Sequence, residues 1–150
     1  MTDDWADVLV CLVDAGARFL VVGAHALAVH GVPRATEDLD IWVEPSKDNA
    51  ARVWDALIRF GAPLDDLGVR LTDFSKRETV VQLGVPPQRI DFLTEISGIP
   101  DFEAAYAHRV VQTVAERDVP FLGRSEFIAN KRASGRLKDR SDVEALGEKG

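Results

Sequence analysis

Two aspartates stand one residue apart inside an apolar run, DLDIWV at residues 38–43. The run is typical of a buried strand, whose successive side chains point to opposite faces, so Asp38 and Asp40 share one face. Neighbouring carboxylates raise each other's pKa unless a cation neutralises them, and oxygen ligands favour Mg²⁺ or Mn²⁺. The alternative is an exposed strand end, where the acids meet solvent or an arginine such as Arg34.

A third carboxylate, Asp91, lies in another predicted strand, RIDFLT at residues 89–94. If the two strands are neighbours, three carboxylates converge, a set that can hold two metal ions about 4 Å apart for in-line phosphoryl transfer. A salt bridge with Arg89 would explain Asp91 equally well. A structural Ca²⁺ site is disfavoured, because the acids lie on strands and not in a loop of closely spaced oxygen ligands.

A glycine turn lies upstream of the acids, where Gly23 ends a predicted strand and Ala24 begins a short predicted helix. Backbone N–H groups at the start of a helix attract phosphate, and small residues allow a close approach. The turn matches neither a P-loop nor a G-x-G-x-x-G motif, so a tight turn without a ligand remains the alternative. His25 follows the turn directly and is a further candidate for ligand contact.

Basic residues are concentrated late in a chain that is acidic as a whole. The net charge of −7 argues against a broad nucleic-acid-binding surface, but residues 124–140 carry six basic side chains against two acidic ones. Lys131 and Arg136 in this stretch either contact phosphate or form a solvated helix face. Thr36, just before the paired acids, either bonds a phosphate or caps the strand.

Helices and strands alternate around these candidate residues. Helical spacing and caps predict helices over 3–15, 46–61 (N-cap Ser46, stop Gly61), 125–135 (N-cap Ser125) and 138–146, with short helices after Gly23 and near residue 101. Strands are predicted over 18–23, 38–43, 79–84 and 89–94, and residues 110–122 form two short strands or one bent one. The order predicts an α/β or α+β fold with a mixed sheet flanked by helices. We expect one domain over residues 1–150, with a core of about 18–122 and C-terminal helices at about 125–147.

The amino-acid composition limits the class of protein, the kinds of cysteine site and the cellular location that we expect. Hydrophobic residues make up 46% and charged residues 29% of the 150, which is ordinary for a globular protein. The single cysteine, Cys11, excludes a disulfide framework and a thiolate zinc site. No apolar run is long enough to cross a bilayer, and the acidic start differs from a secretory signal. We therefore expect a cytoplasmic protein without membrane contact.

The glycine turn, Asp38-x-Asp40 and Asp91 together resemble the polymerase-β-like nucleotidyltransferase superfamily. HGVPRATEDLDIWV, PPQRIDFLT and NKRASGRLKDRSDVEAL are similar to a bacterial branch that includes the AbiEii-type toxins of type IV toxin–antitoxin pairs. Lys131, Arg136, Asp139 and Asp142 match a late motif of that branch. The resemblance covers residues 18–146 and implies a nucleotidyltransferase fold. In this sequence Ala24 replaces the second glycine or serine of the family's turn.

The resemblance also implies a role for each matching residue. Asp38 and Asp40 would bind two Mg²⁺ or Mn²⁺ ions and the triphosphate, and Asp91 would hold the catalytic metal and help deprotonate the acceptor hydroxyl. Gly23 and Ala24 would lie against the nucleotide phosphates, and Lys131 would contact phosphate, with Arg136 and Asp139 shaping that wall. Thr36 joins these nucleotide-binding candidates by its position just before the acids. The reaction would transfer NMP from an NTP to a hydroxyl of tRNA or other RNA, a protein or a small molecule, with an antitoxin or a second copy as partner. The alternative is a nucleotide- or partner-binding module that has lost catalysis, for which Ala24 is the hint.

Overall fold

The computed structural model describes residues 1–147. Its helices and strands follow one another in the order helix, strand, helix, strand, helix, two strands, helix, two strands, two helices. They are α1 (Asp3–Asp14), β1 (Phe19–Val22), α2 (Gly23–Val29), β2 (Asp38–Val43), α3 (Lys47–Phe60), β3 (Val80–Leu83), β4 (Arg89–Leu93), α4 (Phe102–Ala107), β5 (Val110–Val114), β6 (Arg117–Phe121), α5 (Arg124–Ser134) and α6 (Leu137–Ala145), with a 3₁₀ helix at Leu71–Ser75. No helix within 1–147 combines the length and apolar character needed to cross a membrane.

The six strands form one mixed sheet in the order β3-β4-β2-β1-β6-β5. The pairs β2–β4 and β1–β6 are parallel, whereas β1–β2, β3–β4 and β5–β6 are antiparallel. The strands that carry the paired acids and the third acid, β2 and β4, are therefore direct neighbours at the centre of one half of the sheet.

The two faces of the sheet are covered differently. One face packs on α1, α3 and the 3₁₀ helix in a large apolar core, to which β2 contributes Leu39 and Ile41. On the other face a smaller apolar cluster joins Trp42 to residues of α2, α4 and α5. Because side chains alternate along a strand, the acids of β2 lie on this second face, beside the smaller cluster.

The mixed α/β fold with a sheet flanked by helices confirms the predicted fold class. Ser46 caps α3 by accepting a hydrogen bond from the Asn49 N–H, and Gly61 ends that helix in the left-handed region, both as predicted. Residues 110–121 form two antiparallel strands, not one bent strand.

Two local predictions were wrong or incomplete. Ser125 is not the N-cap of α5, because the helix begins at Arg124 and Gly123 takes the cap position without a side-chain hydrogen bond. The 3₁₀ helix at Leu71–Ser75 was not predicted, although its Phe74 is fully buried in the large core. Its two apolar residues, Leu71 and Phe74, are too few to give a periodic signal from which such a turn could be predicted.

Candidate metal and nucleotide site

The register of β2 and β4 brings the three carboxylates together. Asp40 is the direct partner of Asp91 in the parallel pair, and Asp38 is the partner of Arg89. Each carboxylate offers an oxygen, and these oxygens all lie within 4.8 Å of one another. The structure thus assembles Asp38, Asp40 and Asp91 in one cluster.

The donor set fits a hard divalent cation. Three carboxylates supply only oxygen ligands, which Mg²⁺ and Mn²⁺ prefer, and oxygens at this spacing can be shared by two ions about 4 Å apart. The buried Oδ1 of Asp91 has no hydrogen-bond partner in the described structure. A buried carboxylate oxygen without a donor is costly, so the atom is available as a ligand.

Burial and the neighbouring acidic charges both raise carboxylate pKa values in the cluster. Burial first, and then the charges of Asp38 and Asp91, raise the pKa of Asp40 from 3.8 to about 6. Burial also raises the pKa of Asp91, an effect that the neighbouring guanidinium of Arg89 opposes. The fold therefore holds carboxylates where ionisation is unfavourable until positive charge is added.

Gly23 is needed because of Asp40. It begins α2 with a φ of +69°, and a Cβ at this position would lie 2.4 Å from Oδ2 of Asp40. Only glycine tolerates both the backbone angle and this approach. The glycine turn and the paired acids, fifteen or more residues apart along the chain, therefore form one site.

Thr36 hydrogen-bonds to Asp38, and His25 packs against Trp5. The Thr36 hydroxyl lies 3.1 Å from Oδ1 and 3.0 Å from the carbonyl oxygen of Asp38, and it accepts from the Asp38 N–H at 3.3 Å. The ring of His25 packs edge-on against Trp5, and its pKa is lowered, first by burial. His25 lines a different cavity from the one beside Asp40, and its ligand contact stays a prediction.

The residues of the late motif, on α5 and α6, lie close to the acidic cluster. Lys131 is buried, and its Nζ lies 3.4 Å from Oδ1 of Asp139. Arg136 donates to both oxygens of Asp139, at 2.8 and 3.3 Å. Burial alone would raise the pKa of Asp139, but the hydrogen bonds from Arg136 and the charge of Lys131 hold it below its usual value. Asp139 therefore fixes the two cations in place.

A cavity of about 210 Å³ connects these parts. Gly23, Asp40, Lys131 and Arg136 all line it, whereas Ala24 does not, although it is the next residue of α2. The cavity also has polar walls that sequence reasoning missed: Glu95, Ser97, Asn130 and Ser134. The side-chain amide of Asn130 donates to the carbonyl oxygen of Ser97, which ties α5 to the loop after β4. No spacing rule could have selected these residues, because a loop and a helix bring them together only in the fold.

The arginine that pairs with the acidic cluster is Arg89 and not Arg34, the candidate named from the sequence. Arg34 pairs with buried Asp142 of α6 and not with the paired acids. Arg89 takes that place, with its Nη2 2.8 Å from Oδ2 of Asp38 and its Nε 3.2 Å from Oδ1 of Asp91. The salt bridge offered as the alternative explanation of Asp91 is therefore present, within the carboxylate cluster.

Comparisons with known proteins bear on the fold. No protein-family model and no curated protein matches the sequence. Among solved structures, the chain is similar to the crystal structure of a "putative nucleotidyltransferase" from Thermotoga maritima, with a TM-score of 0.57 and 17% identity over 98% of this chain and 92% of that one. At this identity the similarity shows the fold alone. The chain has a nucleotidyltransferase fold, with an acidic cluster on its sheet that could bind a metal.

Proposed function

We propose that this protein is a metal-dependent nucleotidyltransferase that transfers an NMP group from an NTP to a hydroxyl acceptor and releases pyrophosphate. The observation that carries the proposal is the convergence of Asp38, Asp40 and Asp91 beside a cavity walled by Lys131, within a nucleotidyltransferase fold. The AbiEii-type branch that the sequence resembles adds a finer proposal, that the protein is the toxin of a toxin–antitoxin pair.

The three carboxylates would together bind two Mg²⁺ or Mn²⁺ ions. Asp38 and Asp40 would hold both ions, and Asp91 would hold the ion nearer the acceptor. Bound ions would neutralise phosphate charge and lower the pKa of the acceptor hydroxyl. The raised pKa of Asp40, about 6, supports this assignment, because the carboxylates ionise without a penalty only beside a cation.

The transfer itself would need little covalent participation by the protein. The acceptor oxygen attacks the α-phosphorus of the NTP, a new P–O bond forms, and the bond to the bridging oxygen breaks so that pyrophosphate leaves with its electron pair. Asp91 would take the proton of the acceptor hydroxyl, and the lack of a hydrogen bond to its buried Oδ1 in the described chain supports this role. Most of the acceleration would come from positioning and electrostatic stabilisation.

The nucleotide phosphates would lie between the glycine turn and α5. Gly23 and Ala24 would leave the backbone open to them, and Lys131 would pair with a phosphate oxygen across the cavity. Arg136 and Asp139 would shape that wall, since Asp139 holds both cations. Thr36 would act through Asp38, to which its hydroxyl is already bonded.

The acceptor and the partners are further proposals. We propose a cytoplasmic protein whose acceptor hydroxyl belongs to RNA such as tRNA, to a protein or to a small molecule. An antitoxin protein or a second copy of this chain would complete or control it. These points rest on the sequence resemblance alone.

The test is incubation of the protein with each α-labelled NTP, Mg²⁺ or Mn²⁺, and either total RNA or cell lysate, followed by separation of labelled macromolecules. We expect transfer by the wild-type protein and none by Asp91→Asn. Asp65→Asn, which removes an exposed carboxylate outside the cluster, is the matched control and should transfer normally. Metal-dependent NTP binding without transfer to any acceptor would instead support the binding module, and transfer by Asp91→Asn would overturn the proposed mechanism.

A further inference from the structure

Arg89 occupies the carboxylate cluster as an internal cation. It lies two residues before Asp91 on β4, so the two side chains share a face, and it is the cross-strand partner of Asp38. Its Nη2 lies 2.8 Å from Oδ2 of Asp38 and its Nε lies 3.2 Å from Oδ1 of Asp91. One guanidinium therefore bridges two of the three proposed metal ligands.

The contact of Arg89 with Asp91 is weaker than its contact with Asp38. Nε of Arg89 and Oδ1 of Asp91 are both buried, yet neither has a hydrogen-bond partner, because their ion pair lacks hydrogen-bond geometry. Asp40 has no ion pair within residues 1–147, and the two cations that line the neighbouring cavity, Lys131 and Arg136, both pair with Asp139. The guanidinium thus serves two of the three carboxylates, with a hydrogen bond to Asp38 and only a loose ion pair to Asp91, and a better-placed dication could displace it.

We propose that Arg89 is an exchangeable counter-ion of the cluster: its guanidinium neutralises Asp38 and Asp91 in the metal-free protein, and a divalent cation must displace it to bind. This inference rests on the proposed metal site and goes beyond it. Arg89 and a divalent cation compete for the same two carboxylates and repel each other, so Arg89 weakens binding of the metal alone. A phosphate oxygen of the incoming nucleotide is a natural new partner for the displaced guanidinium, which favours arrival of metal and nucleotide together.

The test is a titration of the full chain with Mn²⁺ and no nucleotide, with free Mn²⁺ measured by its electron paramagnetic resonance signal. Removing a cation a few ångströms from the ion removes both competition and repulsion, so Arg89→Gln should bind Mn²⁺ about tenfold more tightly than wild type. Arg89→Lys should fall between them, because an ammonium keeps the charge but cannot fork between two carboxylates. If Arg89→Gln does not fold, the comparison of Arg89→Lys with wild type decides.

Arg117→Gln is the matched control. It removes the same charge from an ion pair with Asp14 at the start of β6, on the far half of the sheet, and should leave Mn²⁺ affinity unchanged. Thermal unfolding gives a second measurement. In EDTA the melting temperature of Arg89→Gln should be below that of wild type, and Mn²⁺ should raise it by more than it raises that of wild type. Equal Mn²⁺ affinity of wild type and both Arg89 variants would overturn the role of Arg89 alone. An absence of Mn²⁺ binding in wild type and both variants would overturn the metal site as well.

Discussion

Asp40→Asn should stabilise the metal-free protein while removing its metal binding. Asp40 faces Asp91 across the strand pair, and its pKa rises from 3.8 to about 6. An acid whose folded pKa is raised destabilises the fold once it ionises, so the penalty grows as the pH rises from 4 to 6 and is constant above 6. A shift of about two units corresponds to about 3 kcal/mol, and we expect about 1–2 kcal/mol because the side chain is partly exposed.

Urea denaturation in EDTA at pH 8.0 and 4.5 measures this effect. Asp40→Asn should be the more stable protein at pH 8.0, and its advantage should shrink at pH 4.5, where wild type regains stability by protonating Asp40. Mn²⁺ at pH 8.0 should stabilise wild type and not the variant. Asp65→Asn, at an exposed position, should match wild type throughout. An Asp40→Asn protein no more stable than wild type at pH 8.0 would refute the electrostatic reasoning.

Two further changes test how the site is held. Gly23→Ala should lower the free energy of unfolding by roughly 1–3 kcal/mol and weaken Mn²⁺ binding, because residue 23 has a φ of +69° and the new Cβ would clash with Asp40. Urea denaturation measures the first effect and Mn²⁺ titration the second. An unchanged Mn²⁺ affinity would contradict the reasoning. Arg34→Ala should cost roughly 3 kcal/mol, because it leaves the buried carboxylate of Asp142 without its cation; thermal unfolding measures it, and the double variant with Asp142→Ala should lose no more than Arg34→Ala alone.

Local sequence signals predicted the elements well and their ends less well. The α3 helix was bounded correctly because Ser46 and Gly61 act on their own backbone neighbours, so the cause and its effect are both local. Ser125 failed as a cap because Gly123 and the turn before it determine where α5 begins. A Cβ on Gly123 would lie 2.6 Å from the carbonyl oxygen of His108, a constraint imposed by a residue fifteen positions earlier.

The acidic cluster could be predicted only as a conditional statement. Asp38 and Asp40 share a face by alternation alone, but their proximity to Asp91 depends on β2 pairing with β4, which no local pattern specifies. The family resemblance supplied that adjacency, and the sheet order confirms it. The ion pair of Arg34 with Asp142 spans 108 positions and lay beyond any such signal.

The register of β2 and β4 determines which acid lacks compensation. Asp38 stands opposite Arg89, whereas Asp40 stands opposite Asp91, a like charge. A shift of one residue would turn the acids of one strand to the opposite face, and a shift of two would place Asp38 beside Asp91 and leave Asp40 beside Leu93. The observed register thus pairs one acid with a cation and leaves Asp40, whose pKa burial already raises, opposite a like charge and beside the cavity that Lys131 lines. Burial and the charges of Asp38 and Asp91 together oppose ionisation of Asp40, so a cation that enters from that cavity favours its ionised form, and metal binding and fold stability oppose each other at this residue.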